Sequence, residues 1–315
     1  MRFRCLVTGG AGFIGSNIVK RLLENGNSVR VIDNLSTGKR ENLASIHSDI
    51  DFIEDTICNP DSMRRAARRI DIIFHQAALP SVPRSIENPE ASHANNITGT
   101  LNVLRAAHAQ GVKRVIYAAS SSAYGDTPTL PKVETMPPNP LSPYAVTKLA
   151  GEYYCQVFSS AYALETISLR YFNVFGPHQN PDSQYAAVVP KFIRSLLSDQ
   201  SPVIYGDGEQ TRDFTYIDNV VTANIMASRA EKTQGEVINI ATASRTSVNR
   251  LFKLLQNITQ TNIQALYQPQ RGGDVKHSLA DISRAVKLIG YRPVIELETG
   301  LKLTVEWMRS SSPKK

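Results

Sequence analysis

Residues 8–16 read Thr-Gly-Gly-Ala-Gly-Phe-Ile-Gly-Ser, and no other stretch constrains the fold as strongly. It joins a strand-like apolar run over residues 3–7 to an amphipathic helical pattern over 14–25. The glycines carry separate physical expectations. Gly9 permits a tight turn, Gly12 lets backbone approach a pyrophosphate, and Gly15 lets the helix pack closely on the strand. The helix N-terminus then offers free N–H groups and the positive end of its dipole to phosphate oxygens. Glycines at such spacing are a weak signal alone, so the context matters: strand before, helix after, and Asp33 closing the next strand-like run, 33 − 15 = 18 residues beyond Gly15. A carboxylate there accepts from adenosine ribose hydroxyls and repels a 2′-phosphate, which favours NAD over NADP. Lys39 and Arg40, just beyond, keep NADP open.

The same alternation continues through the first half of the chain. Strand-like runs at residues 28–32, 51–53, 70–74, 112–118 and 165–169 are mostly Val- and Ile-rich and apolar on both faces, as a parallel sheet covered on both sides requires. Helical patterns at 61–69, 91–110 and 143–161 separate them, and Asn25-Gly26-Asn27 reads as a helix-ending turn. Six strands with crossovers predict an α/β fold, a doubly wound parallel sheet of Rossmann type. After about residue 175 the rhythm breaks into shorter elements separated by Gly-Pro, Asp-Gly and Gly-Gly turns. A smaller C-terminal substrate-binding subdomain is expected there, with residues 1–175 as the dinucleotide domain, 176–315 mainly the substrate half, and some crossing between the two.

Composition narrows the partners. Among 315 residues, Lys and Arg exceed Asp and Glu by 35 − 28 = 7, which suits an anionic partner, either nucleic acid or a phosphorylated small molecule. The basic residues are scattered, with Arg64-Arg65 and Arg68-Arg69 as one local cluster of the kind found on solvated helix faces, so no nucleic-acid partner is expected. No apolar run reaches the roughly 18 residues of a membrane helix. The three cysteines, Cys5, Cys58 and Cys155, are too widely spaced to suggest a zinc site or disulfide framework, and no metal is expected. With no apolar leader after Met1-Arg2, a reducing cytoplasmic location is expected.

Two further stretches carry chemistry. Ser142-Pro143 reads as an N-cap followed by proline in the first helical turn, which puts Tyr144 and Lys148 one turn apart on one helix face. A phenol of pKa about 10 is a poor base at neutral pH; a neighbouring ammonium and a cationic nicotinamide would lower it. Ser120-Ser121-Ser122 follows the strand-like run one element upstream, where an α/β sheet presents its reactive groups. A serine hydroxyl there can donate to a substrate oxygen and relay its proton to the tyrosine.

Taken together these motifs resemble the extended short-chain dehydrogenases/reductases, and within them the nucleotide-sugar 4-epimerases. The resemblance spans nearly the whole chain and rests on residues 8–16, Asp33-Asn34, His75-Gln76-Ala77-Ala78, residues 120–125, Tyr144 and Lys148, residues 170–177, Arg212-Asp213-Phe214 and Arg271-Gly272-Gly273-Asp274. It implies Ser120, Tyr144 and Lys148 as the catalytic set, Ser120 being the serine four residues before the tyrosine of Tyr124-Gly125. NAD is implied beside Gly9, Gly12, Phe13, Ile14, Gly15, Asp33, Asn34, Ala77, Ala78, Tyr144, Lys148 and Tyr171. A UDP-sugar is implied beside Ser81, Ser121, Ser122, Asn173, Val189, Tyr205, Arg212, Arg271, Asp274 and Ser278. Arginine forks suit the diphosphate. Residues 55–57 depart from the family, reading Asp-Thr-Ile where Gly-Asp-Ile commonly holds adenine. The resemblance also implies a homodimer, paired through the helices at 91–110 and 143–161.

Related dehydratases carry Asp-Glu directly after the catalytic Ser or Thr, and related decarboxylases a glutamate. This chain has Ser121, Ser122 and Ala123, so chemistry at C4 alone is expected. Asn173, where relatives acting on uronic acids tend to have Thr, favours a neutral sugar. Ser278, four residues beyond Asp274, falls where the family walls the hexose pocket: Tyr there confines relatives to the plain hexose, and a small residue admits an acetamido group. Residues 79–85 and 120–125 resemble UDP-N-acetylglucosamine 4-epimerases most closely. UDP-GlcNAc/UDP-GalNAc and UDP-Glc/UDP-Gal are therefore the expected substrates. A UDP-glucuronate 4-epimerase, another nucleotide-sugar enzyme of this type, and a catalytically silent NAD-binding regulatory protein stand as the alternatives.

Overall fold

A computed structural model of the chain describes residues 2–181, 187–270 and 275–311. In chain order the first half runs β1 (Arg4–Thr8), α1 (Phe13–Glu24), β2 (Ser28–Asp33), β3 (Ile50–Glu54), α2 (Pro60–Ala66), β4 (Ile72–His75), α3 (Val82–Glu87), α4 (Pro89–His93), α5 (Gly99–Ala109), β5 (Arg114–Ser120), α6 (Pro143–Tyr162) and β6 (Glu165–Tyr171). The second half follows as β7 (Val174–Phe175), α7 (Val188–Leu197), β8 (Val203–Tyr205), β9 (Thr211–Arg212), β10 (Thr215–Tyr216), α8 (Ile217–Arg229), β11 (Glu236–Ile240), β12 (Thr246–Ser247), α9 (Val248–Thr259), β13 (Leu266–Gln268), α10 (Ser283–Ile289) and α11 (Leu297–Ser311).

The central sheet is parallel throughout, with seven strands in the order β11-β6-β5-β4-β1-β2-β3. The doubly wound architecture expected from the alternation is therefore present, with one strand more than the six the sequence suggested. That strand, β11, comes from residues 236–240, so the chain leaves the sheet after β6, builds β7 to α8 and returns. Buried Val7, Ile72, Phe74, Ile116 and Ile167 belong to the core on one face of the sheet, and Leu6, Ile73, Val115 and Tyr117 to the core on the other. This two-sided burial is why those strands read as continuous apolar runs rather than alternating ones.

The strand order reverses between β1 and β4, the crevice where such sheets bind ligands. Register brings Thr8 opposite Ile32 on one side and His75 on the other, and Ser120 opposite Tyr171. The glycine loop, Asp33, His75, Ser120 and Tyr171 thus share one end of the sheet.

The helix expected over 91–110 differs from a plain α-helix. It begins earlier, at Pro89 with Asn88 as N-cap, and contains a π-helical turn over Ala94–Thr98 between α4 and α5. Asn95 bonds back to the Ala91 carbonyl at 2.9 Å within this wider turn. Such turns recur at functional sites because they re-aim side chains.

On α6, Val146, Tyr153, Val157 and Tyr162 remain about half exposed. Val157 and Tyr162 line a groove of about 460 Å³ that runs between α2, α5 and α6 and also includes Leu101, Arg105, Tyr154 and Phe158. No helix among the described residues is long and apolar enough to cross a membrane.

Candidate active site

The glycine loop is built as its spacing demands. Gly9 has φ +68°, and a Cβ there would sit 2.7 Å from the Ala77 backbone, so the β1 turn and the segment after β4 touch through a missing side chain. A Cβ on Gly15 would lie 2.1 Å from the Gly9 carbonyl oxygen, so this glycine seats α1 on the turn itself rather than on the strand. Gly12 is the N-cap of α1; no side chain caps the helix and its first turn carries no acidic residue. The first amides of α1, including those of Phe13 and Ile14, are thus left to an anion, which fits a dinucleotide's pyrophosphate.

Asp33 ends β2 with its carboxylate buried, accepting from Ala11 N–H at 2.9 Å and Leu35 N–H at 2.8 Å. Burial pushes its pKa up and these two amides oppose the shift. Its neighbour Asn34 accepts from Ser36 N–H at 3.1 Å. Asp55, in the segment that departs from the family, is engaged locally by Ser62 and by Thr56 N–H, which lower its pKa.

A buried polar chain behind this loop escaped the sequence reading. Ala77 N–H donates to Thr8 Oγ1 at 3.2 Å, and Thr8 Oγ1 lies 2.7 Å from His75 Nδ1. His75 Nε2 lies 2.9 Å from Thr100 Oγ1, whose own proton goes to the Asn96 carbonyl at 2.6 Å. With Thr100 spent as a donor, His75 must carry its proton on Nε2 and accept from Thr8 on Nδ1. Burial, aided by the Lys148 charge, lowers the His75 pKa to about 3, so the ring is neutral. Asn96 itself, in the π-turn, accepts from Leu79 N–H at 2.8 Å and donates to Thr147 Oγ1 at 3.0 Å. The signal that could have found this set is the Asn-Asn-Ile-Thr-Gly-Thr run inside a helical pattern, whose polar residues are unusual on an inward face.

Tyr144 and Lys148 lie on α6 as expected, with Ser142 capping Ala145 N–H at 3.2 Å and Pro143 in the first turn. Ser85 of α3 accepts from Tyr144 N–H at 3.0 Å, which locks the start of α6. Lys148 Nζ donates to the Ala118 carbonyl at 2.8 Å and lies 5.0 Å from the Tyr117 ring centre. Burial lowers the Lys148 pKa to about 8, against the raising effect of Glu152. Helix spacing alone predicts an ammonium that lowers the Tyr144 pKa. In the structure burial dominates and raises it, opposed by a hydrogen bond from the Ser120 side chain, while the ammonium is directed to Ala118.

Ser120 terminates β5, and Ser121 and Ser122 begin the short 3₁₀ turn after it. Ser120 Oγ accepts from Ser122 N–H at 3.2 Å and from Ser122 Oγ at 2.9 Å. Across the strand, the Tyr171 hydroxyl is held by Asn224 Nδ2 at 2.8 Å and Gln76 Nε2 at 3.3 Å. Asn173 adopts φ +35°, a left-handed conformation that Asn tolerates, and its Nδ2 lies 3.4 Å from Ser278 Oγ. Two residues 105 positions apart in sequence thus become neighbours. Arg212 Nη1 spans the Thr211 and Lys276 carbonyls at 2.9 and 3.2 Å.

The remaining expected residues fall as follows. Ala77 and Ala78 follow β4, Ser81 caps α3 by accepting from Arg84 N–H at 3.2 Å, and Tyr205 ends β8 half-buried. Val189 lies in the first turn of α7, its side chain 1% exposed and part of the core with Phe192, Ile193 and Leu196 along the inner stripe of that helix. Arg271 and Asp274 lie outside the described residues. No group of three His, Cys, Asp or Glu able to hold a metal occurs among the described residues.

Residues 5–241 match the NAD dependent epimerase/dehydratase family. The chain belongs to that family. UDP-N-acetylglucosamine 4-epimerase from Methanobrevibacter ruminantium M1, solved with UDP-N-acetylmuramic acid, is 42% identical with a TM-score of 0.95 over 99% of each chain. UDP-glucose 4-epimerase from Thermotoga maritima, solved with UDP-glucose, is 42% identical with a TM-score of 0.93 over 98% of this chain and 99% of that one. A putative UDP-glucose 4-epimerase of Methanocaldococcus jannaschii is 39% identical over 98% of this chain and 99% of its own length. The protein is thus an extended short-chain dehydrogenase/reductase of the nucleotide-sugar 4-epimerase type, an isomerase that uses NAD.

Proposed function

We propose that this epimerase inverts C4 of a UDP-hexose and turns over both UDP-GlcNAc/UDP-GalNAc and UDP-Glc/UDP-Gal. The observation that carries the reading is the small Ser278 side chain beside Asn173, 3.4 Å from its amide, where a bulky residue would close the space. In this reading residues 1–175 mainly hold NAD and 176–315 mainly hold the nucleotide sugar. The glycine loop takes the pyrophosphate, Asp33 faces the adenosine ribose, and Arg212 faces the substrate diphosphate.

When bound, NAD supplies a reversible acceptor for the C4 hydrogen and its electron pair. Tyr144, as phenolate, takes the C4 hydroxyl proton, with Ser120 donating a hydrogen bond beside it. Lys148, pinned by the Ala118 carbonyl, would hold the nicotinamide ribose. The resulting 4-keto sugar must turn its other face before Tyr144 returns the proton. The absence of acidic side chains at residues 121 and 122 leaves no acid/base pair for elimination at C5 and C6.

The test is separate incubation with UDP-GalNAc, UDP-galactose and UDP-glucuronate, with NMR of each product, in the wild type and in Ser278→Tyr. The first two substrates are expected to turn over in the wild type. Tyrosine at 278 is expected to lower kcat/KM for UDP-GalNAc relative to UDP-galactose by roughly 100-fold, through steric overlap with the acetamido group. An unchanged ratio would mean that residue 278 does not gate the pocket, and turnover of UDP-glucuronate alone would replace the substrate assignment.

The half-exposed apolar stripe of α6 is assigned to a second copy of this chain, packed in a symmetric dimer in which the same face serves both partners. Sedimentation analysis should give the mass of a dimer; a monomer mass at micromolar concentration would remove this assignment.

A further inference from the structure

The hydroxyl of Ser120 has one proton to give and two lone pairs with which to accept. Both lone pairs are occupied from the same residue: Ser122 N–H at 3.2 Å and the Ser122 hydroxyl at 2.9 Å. The geometry is local and stiff, because residue 120 is the N-cap of the 3₁₀ turn and residue 122 lies within it. With both lone pairs engaged, the one role left to the Ser120 hydroxyl is that of a donor.

We propose that Ser122 is a positioning residue that makes Ser120 a fixed donor rather than a proton relay. The inference rests on the reading of Ser120 and Tyr144 given above. A relay requires Ser120 to accept a proton from the C4 hydroxyl while passing its own to Tyr144. Acceptance needs a lone pair, and Ser122 holds both. The C4 O–H bond therefore breaks directly toward the Tyr144 oxygen, where the new O–H bond forms. The Ser120 O–H bond stays intact throughout and donates first to the phenol oxygen and then to the C4 oxygen of the bound sugar. Ser122 touches neither reacting atom in this scheme and acts through Ser120.

The experiment is a double-mutant cycle of Ser120→Ala and Ser122→Ala in the NAD-loaded enzyme, with kcat, KM and melting temperature measured for each. Ser122→Ala removes one of the two donors to Ser120 and is expected to lower kcat about tenfold, with KM and melting temperature little changed. Ser122→Thr, which keeps the hydroxyl, restores kcat. In the Ser120→Ala background the Ser122→Ala change has no further effect, since its route of action is gone. Full additivity of the two changes, or an effect of Ser122→Ala on KM alone, overturns the inference by showing that Ser122 meets the substrate itself. Wild-type kcat in Ser122→Ala overturns it as well. Wild-type activity in Ser120→Ala would instead overturn the underlying assignment of Ser120, so the two failures are distinguishable.

Discussion

Tyr144→Phe is expected to lower turnover by roughly 10²-fold or more while NAD remains bound. The change deletes one oxygen from a half-buried side chain and leaves its ring in place. What holds the residue does not involve that oxygen: Ser85 accepts from the Tyr144 amide, Ser142 caps the helix, and Thr147 donates to the Tyr144 carbonyl at 2.8 Å. The fold and the glycine loop should therefore persist, and the loss should appear in kcat rather than in cofactor content. Ser120 cannot substitute as a base, because its oxygen already accepts from the Ser122 N–H and the Ser122 hydroxyl. Assay of UDP-galactose turnover, with NAD extracted and quantified from the purified variant, reads both effects. Turnover within tenfold of the wild type would remove Tyr144 from the role of base.

Loss of Glu152 should be the most damaging single change to stability among the groups near the site. Glu152 and Arg170 form a two-point pair at 2.9 and 2.7 Å, with side chains only 2% and 6% exposed. The pair joins α6, one turn past Lys148, to β6, and the guanidinium also lies 4.6 Å from the Tyr124 ring centre, under the serine turn. Three elements that carry candidate active-site residues are thus fastened at one buried point. Arg170 Nη1 is buried without a hydrogen-bond partner among the described residues, which leaves the Tyr124 ring face as the other group set against that charge. Glu152→Ala leaves a buried cation unpaired, which costs about 3–5 kcal/mol and should lower the melting temperature by roughly 10 °C. Replacing both partners, as in Glu152→Met with Arg170→Leu, should recover most of that loss, since a buried pair exchanged for apolar groups is often neutral. Equal melting temperatures for Glu152→Ala and the wild type would show that the pair is solvated and contributes little.

Much of this architecture could be read directly from the residues. β1 to β6 were legible because strands covered on both faces become unbroken apolar runs, and the crossover helices between them keep a different period. The glycines at 9, 12 and 15, Asp33, and the Tyr144–Lys148 pair were legible because each answers a local requirement of backbone or helix spacing. β11 was harder, since its five residues, Glu-Val-Ile-Asn-Ile, arrive after a stretch of short elements with no local sign that the chain has returned to the sheet. The burial of Val189 was within reach: 189, 192, 193 and 196 form an apolar helical stripe, which usually marks a core-facing side.

Sequence by itself determined the fold class and the dinucleotide loop, and pointed to Ser120, Tyr144 and Lys148 as candidates, because these depend on interactions among residues a few positions apart. Tertiary structure alone decided the neutral tautomer of His75, the contact of Asn173 with Ser278, the Glu152–Arg170 pair beneath the serine turn, and the net upward pKa shift of Tyr144. Each of those depends on which distant groups share a buried space. Burial sets the cost of charge and the number of hydrogen-bond partners available. Local spacing does not encode that environment; the packing of β4, β5, β6 and α6 creates it.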